Sequence, residues 1–122
     1  FEAGEVDRSE ELALRFPGDP TAGRVLAQLA FEREAGDADR VALEEHLKGN
    51  PDDAKACYVI GNLLAAAGDW ENALEHLLTA VRLDRSVEDD GARLRMLDVF
   101  MLLGDDHELT REYRQRLMNV IF

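Results

Sequence analysis

A single cysteine, Cys57, stands among the 122 residues. That excludes an internal disulfide, a Cys-x2-Cys redox pair and a cysteine metal cluster. Proline appears three times and aromatics make up 7% of the chain. Apolar runs are only a few residues long, against the roughly 20 that a bilayer-spanning helix needs, so no membrane span is expected. Basic residues are in deficit, with 14 Lys plus Arg against 26 Asp plus Glu and a formal net charge of −12. A surface of that sign repels phosphate backbones, so nucleic acid is not expected as a partner. Valine and isoleucine are sparse, and the alternating apolar–polar runs of a half-buried strand are absent. The first residue is Phe1 with no signal-peptide pattern behind it, and the chain reads as a piece of a longer one.

What is abundant is Ala, Leu, Glu and Arg, which favour helix. Apolar residues make up 46%, enough for a core in a domain of this size. They recur at three and four, as in Val25, Leu26, Leu29, Ala30 and again in Leu74, Leu77, Leu78, Val81. Corners fall at Phe16-Pro17-Gly18-Asp19-Pro20, Ala35-Gly36-Asp37, Gly49-Asn50-Pro51-Asp52, Ala67-Gly68-Asp69 and Leu103-Gly104-Asp105. In a Gly-Asp pair the glycine takes the left-handed position that ends one helix, and the aspartate caps the next. The spacing predicts helices over 5–15, 21–35, 38–48, 53–67, 70–83, 88–103 and 107–121, an all-α domain of about seven helices.

The corners come in pairs, which points to a repeat. From Ala54 to Val87 the chain carries Cys57-x2-Ile60-Gly61-x2-Leu64, then Ala73-x3-Leu77, then Ala80. This resembles the tetratricopeptide pattern, a helix–turn–helix unit stacked into a right-handed solenoid. Gly61 and Ala73 fall where the two helices of one unit cross, and Ala80 where the second helix meets the next unit. A larger side chain there would force the backbones apart. A degenerate copy is expected over 20–51, with Leu26-Ala27 for the Leu-Gly pair, the small Ala30 in place of the aromatic and Gly36-Asp37 for the corner. A half-repeat is expected over 1–16, and a terminal helix pair over 88–122.

After Asp84 the pattern changes, to Asp84-Arg85-Ser86, Asp89-Asp90, Arg93, Leu97, Phe100, Leu103-Gly104, Tyr113-Arg114, Arg116-Leu117 and Phe122. Together with Asn50-Pro51-Asp52-Asp53 and Gly68-Asp69-Trp70, this is similar to the C-terminal region of bacterial thioredoxin-fused tetratricopeptide proteins, the chaperedoxin (YbbN) family. His107-Glu108 departs from the Asp-Pro common before the last helix there, and Asp105 or Asp106 is expected to cap that helix instead. The resemblance implies a cytoplasmic protein with a thioredoxin-like domain upstream of Phe1. Such a protein holds unfolding or oxidised clients and passes them to a chaperonin. Two other roles fit the same residues: a substrate-docking domain for a thioredoxin-type disulfide oxidoreductase, and a plain scaffold repeat.

No catalytic constellation is visible. His46, His76 and His107 lack any His-x3-His or His-Glu-x2-His spacing, so no metal ligand is expected. Cys57 has no local histidine to activate it and is expected to be a buried, inert thiol. The acidic runs Glu10-Glu11, Glu44-Glu45, Asp52-Asp53, Glu88-Asp89-Asp90 and Asp105-Asp106 read for the most part as helix openers that complement the helix dipole. No Gly-rich phosphate loop appears, and no cofactor is expected. The candidate partner surface is the outward face of each repeat's first helix. It comprises Lys55, Tyr58 and Asn62 in the clear repeat and Arg24, Gln28 and Phe31 in the degenerate one. The Lys/Asn/Arg clamp that some such domains close on a terminal carboxylate is incomplete, because Val59 stands at its second asparagine. In the last helix Leu109, Tyr113, Leu117 and Val120 fit an inward stripe. Met118, Ile121 and Phe122 do not all fit it and form a second candidate contact.

Overall fold

A computed structural model describes residues 20–122. The described residues form six helices and no strand: α1 (Pro20–Ala35), α2 (Arg40–Gly49), α3 (Ala54–Ala66), α4 (Trp70–Leu83), α5 (Gly91–Leu103) and α6 (Glu108–Ile121). The helix expected over 5–15 and the half-repeat over 1–16 lie outside the described residues.

The centre of the fold is the α3–α4 hairpin. Asp53 caps α3 by accepting the Ala56 N–H at 3.1 Å. The corner closes at Gly68, whose φ of +82° is a conformation glycine adopts without strain. The Asp69 N–H bonds back to the Leu64 carbonyl at 2.9 Å, satisfying the end of α3. At the crossing, a Cβ on Gly61 would stand 2.8 Å from Leu77 Cδ2 and 3.3 Å from the Leu77 backbone nitrogen. The two helices therefore touch where the sequence has no side chain. Ile60, Gly61, Leu64, Ala73, Leu77 and Ala80, the repeat positions named from sequence, are all buried.

Helix α5 packs on α4 and, at its start, on α3. Helix α6 packs on α4 and α5 through Thr110, Tyr113 and Leu117. Its polar residues Glu112, Arg114 and Gln115 stay in water. Helix α5 begins at Gly91 rather than 88. Glu88, Asp89 and Asp90 have φ of 50°, 54° and 69°, three consecutive left-handed residues that end helical winding. That acidic run is thus a turn, not a helix opener. Helix α6 is capped by neither Asp105 nor Asp106, because His107 Nδ1 accepts the Leu109 N–H at 3.0 Å.

The segment expected as a degenerate repeat, 20–51, takes another form. Helices α1 and α2 do not pack along each other. Helix α2 buries no residue fully and offers only half-buried Leu43 and Leu47 to α3, so α1 finds no apolar partner in it. Instead α1 lies against α3 and α5. A Cβ on Gly23 would stand 3.8 Å from Met101 Sδ, near the end of α5. Gln28 Nε2 donates to the Ala66 carbonyl at the end of α3 at 3.1 Å. The carboxylate of Glu34, at the other end of α1, acts on the Tyr58 hydroxyl in the first turns of α3. Helix α1 therefore runs antiparallel to α3 and α5. These two run parallel to each other, since Lys55 pairs with Glu88 at 3.3 Å and Gly91 presses on Tyr58.

Candidate functional site

The partner face expected on the first helices divides in two. Arg24 and Lys55 are exposed and Gln28 is half-buried. Phe31, Tyr58 and Asn62, expected to point outward, are buried at 0%, 2% and 0% exposure. The cause is α1. Its Phe31 ring is tilted 60° against Trp70 with centroids 6.3 Å apart, and its body covers the face of α3 from which Tyr58 and Asn62 project. Asn62 Nδ2 donates to the Tyr58 carbonyl at 2.9 Å, while its Oδ1 is buried with no partner. Burial, and then the Glu34 carboxylate, push the Tyr58 hydroxyl far above the usual range of a phenol. Arg95 Nε lies 3.0 Å from Asp98 Oδ2 as an ion pair but is not aligned to donate a hydrogen bond to it. Burial raises the Asp98 carboxyl above its usual value despite that pairing.

The second candidate contact is on α6. Met118 is about half exposed and Phe122 is 96% exposed. Ile121 belongs instead to the core edge, and its carbonyl accepts from Arg85 Nη1 at 3.3 Å.

Sequence spacing missed two features. The first is an apolar stripe in water on α5, made by Leu94, Leu97 and Met101 at i, i+3 and i+7. They are 39%, 40% and 49% exposed. Ala92, Met96, Val99 and Phe100 bury the other side of the same helix. A count of apolar residues along 91–103 would have revealed it, because a helix covered on one side needs fewer. The second is a clasp between α4 and α6. Glu75 Oε1 accepts from Tyr113 Oη and from Arg116 Nη1, both at 2.6 Å. The Arg116 guanidinium also sits 4.7 Å over the Tyr113 ring. Arg116 first, and then the Tyr113 hydroxyl, hold the Glu75 carboxyl below its usual value. Glu75 and Arg116 are 41 residues apart, and no local pattern joins them.

Cys57 is buried and its thiol is pushed up by burial, which keeps it protonated and unreactive. His46 Nε2 meets Asp53 Oδ2 at 2.7 Å and ties α2 to the start of α3. Among the described residues, no group of three or more His, Cys, Asp or Glu side chains converges on a metal position. No described helix is long and apolar enough to cross a membrane.

In comparisons with known proteins, the family model described as Tetratricopeptide repeat matches residues 33–122. No curated protein matches the chain, and no solved structure does.

Proposed function

Because the chain belongs to the tetratricopeptide-repeat family, whose repeats are non-catalytic modules of protein–protein contact, we propose that it is the client-binding part of a thioredoxin-fused chaperone. In this reading it holds unfolding or oxidised proteins and passes them to a chaperonin in the cytoplasm. The observation that carries the reading is the Leu94–Leu97–Met101 stripe. A soluble domain normally buries such a row, and one left in water marks a contact surface. Its chemistry suits the apolar segments that an unfolding protein exposes. The net charge of −12 keeps the holder itself in solution. Met118 and Phe122 form a separate apolar contact on α6, suited to the receiving chaperonin.

The test is suppression of light scattering by a heat-unfolding client enzyme. The double variant Leu97→Glu, Met101→Glu loses suppression while it keeps its helical circular dichroism and a cooperative melt, since both side chains are already partly in water. Undiminished suppression would remove the stripe, and with it this reading.

A further inference from the structure

Helix α1 is placed as a ligand would be. It runs antiparallel to two mutually parallel helices and lies along both. It makes no packing with α2, its neighbour in sequence. Its contacts fall at i, i+3 and i+6. Gln28 reaches the Ala66 carbonyl, Phe31 is enclosed beside Trp70, and Glu34 meets Tyr58. The fit is imperfect in its polar part. Asn62 Oδ1 is fully buried without a partner, and the inner nitrogen of Arg95 has no aligned acceptor. A buried polar atom left unpaired destabilises the state that contains it, so a helix that supplied those bonds would displace one that does not. The link to α2 is short, and it turns at Gly36, whose φ is +59°. Helix α1 can therefore leave without unwinding α2.

We infer that the joint face of α3 and α5 is a helix-binding groove occupied in cis by α1, and that its partner is an amphipathic helix of another protein. That helix carries the register Gln-x2-Phe-x2-Glu and adds a donor for Asn62 and an acceptor for Arg95. A second copy of this chain is the weaker candidate, because two domains of net charge −12 repel each other. The inference goes beyond client holding and does not depend on it, since no client enters the test below and the α5 stripe is left intact.

A labelled peptide of residues 20–35 is the probe, titrated into the full chain and into Phe31→Ala. The variant weakens the cis helix, raises the fraction of open groove and tightens apparent affinity in proportion. Binding to Phe31→Ala is expected at about tenfold lower concentration than to the parent. Trp70, the single tryptophan, reports the site. Its emission shifts in Phe31→Ala and returns on adding the peptide, and a peptide carrying the same Phe→Ala change restores nothing. Absence of that restoration in a variant that keeps its helical circular dichroism overturns the proposal. Should Phe31→Ala fail to fold, the parent chain carrying a protease site in the 36–39 corner is cut and followed by native mass spectrometry. Replacement of the cut fragment by labelled peptide supports the groove, and retention at saturating peptide overturns it. A parent chain that dimerises in proportion to concentration by exchanging α1 would overturn the assignment to a foreign partner.

Discussion

Gly61 and Glu75 illustrate two kinds of residue in this domain. Gly61 matters for what it lacks, since any Cβ there meets Leu77 inside 3 Å. Leu77 is itself fully buried and has nowhere to retreat. Gly61→Leu is therefore expected to destabilise the fold by about 3 kcal/mol, the upper part of the usual overpacking range, read from the urea midpoint. Glu75 matters for what it collects, a guanidinium and a phenol from α6. Its folded pKa lies below the ordinary 4.5, so the folded state binds that proton less readily than the unfolded chain does. The stabilisation is complete above the unfolded value and is lost as pH falls through the depressed folded one. Glu75→Gln should have a lower thermal midpoint at pH 7 and a smaller drop between pH 7 and pH 3 than the parent. Parallel acid limbs for the two proteins would show that the clasp is energetically silent. The carboxylate is partly exposed, so solvent screening limits the effect.

At the level of elements, the capping chemistry separates helices that look alike on paper. Asp39 and Asp53 each accept a helix N–H and begin α2 and α3 as their positions suggest. Helix α6 begins on a histidine, with Asp105 turned to Arg114 at 3.0 Å and Asp106 to Arg111 at 3.4 Å. His107→Ala should cost about 1 kcal/mol of stability, as loss of an N-cap does, and His107→Asp should recover it, measured by chemical denaturation. Equal losses in both variants would mean the His107 bond is incidental. Helix α5 carries two apolar faces, one against α4 and one in water. Its start is delayed to Gly91 because the three preceding residues wind left-handed. Gly91 itself has no room for a side chain, since a Cβ would stand 2.9 Å from Tyr58 Oη.

Over the whole molecule, the array from α2 to α6 stacks in chain order and α1 folds back across it. At the far end of the described array α6 packs on α4 and α5. There Ile121 packs on the core edge while Phe122 extends into solvent. Deleting Phe122 alone should leave the thermal midpoint unchanged. Deleting Asn119 to Phe122 removes Val120 and Ile121 from the core edge together with the acceptor of Arg85. It should lower stability by roughly 2–4 kcal/mol, given about 1.5–3 kcal/mol for each fully buried large side chain and less for these half-buried ones. Differential scanning calorimetry on the two truncations reads both. An equal drop in the two would assign the structural role to Phe122 and contradict its exposure.

The all-α class, the hairpin register of 54–83 and the positions of its small residues were legible before any coordinates. They depend on interactions a few residues long: helical spacing, a capping aspartate, a glycine at a corner and an absent Cβ at a crossing. The Glu75–Arg116 clasp, the wet stripe on α5 and the burial of Phe31, Tyr58 and Asn62 were not. Each depends on which face of one helix meets another far along the chain. An amphipathic pattern tells that a face will be covered without telling by what. Residues 20–35 read equally well as the first helix of a repeat and as a helix laid across the array. The choice went to the second because α2 is too polar to receive α1, while α3 offered Tyr58 and the Ala66 carbonyl and the start of α4 offered Trp70. Local spacing set the helices. The competition among faces for apolar cover, decided only in three dimensions, set where the first of them lies.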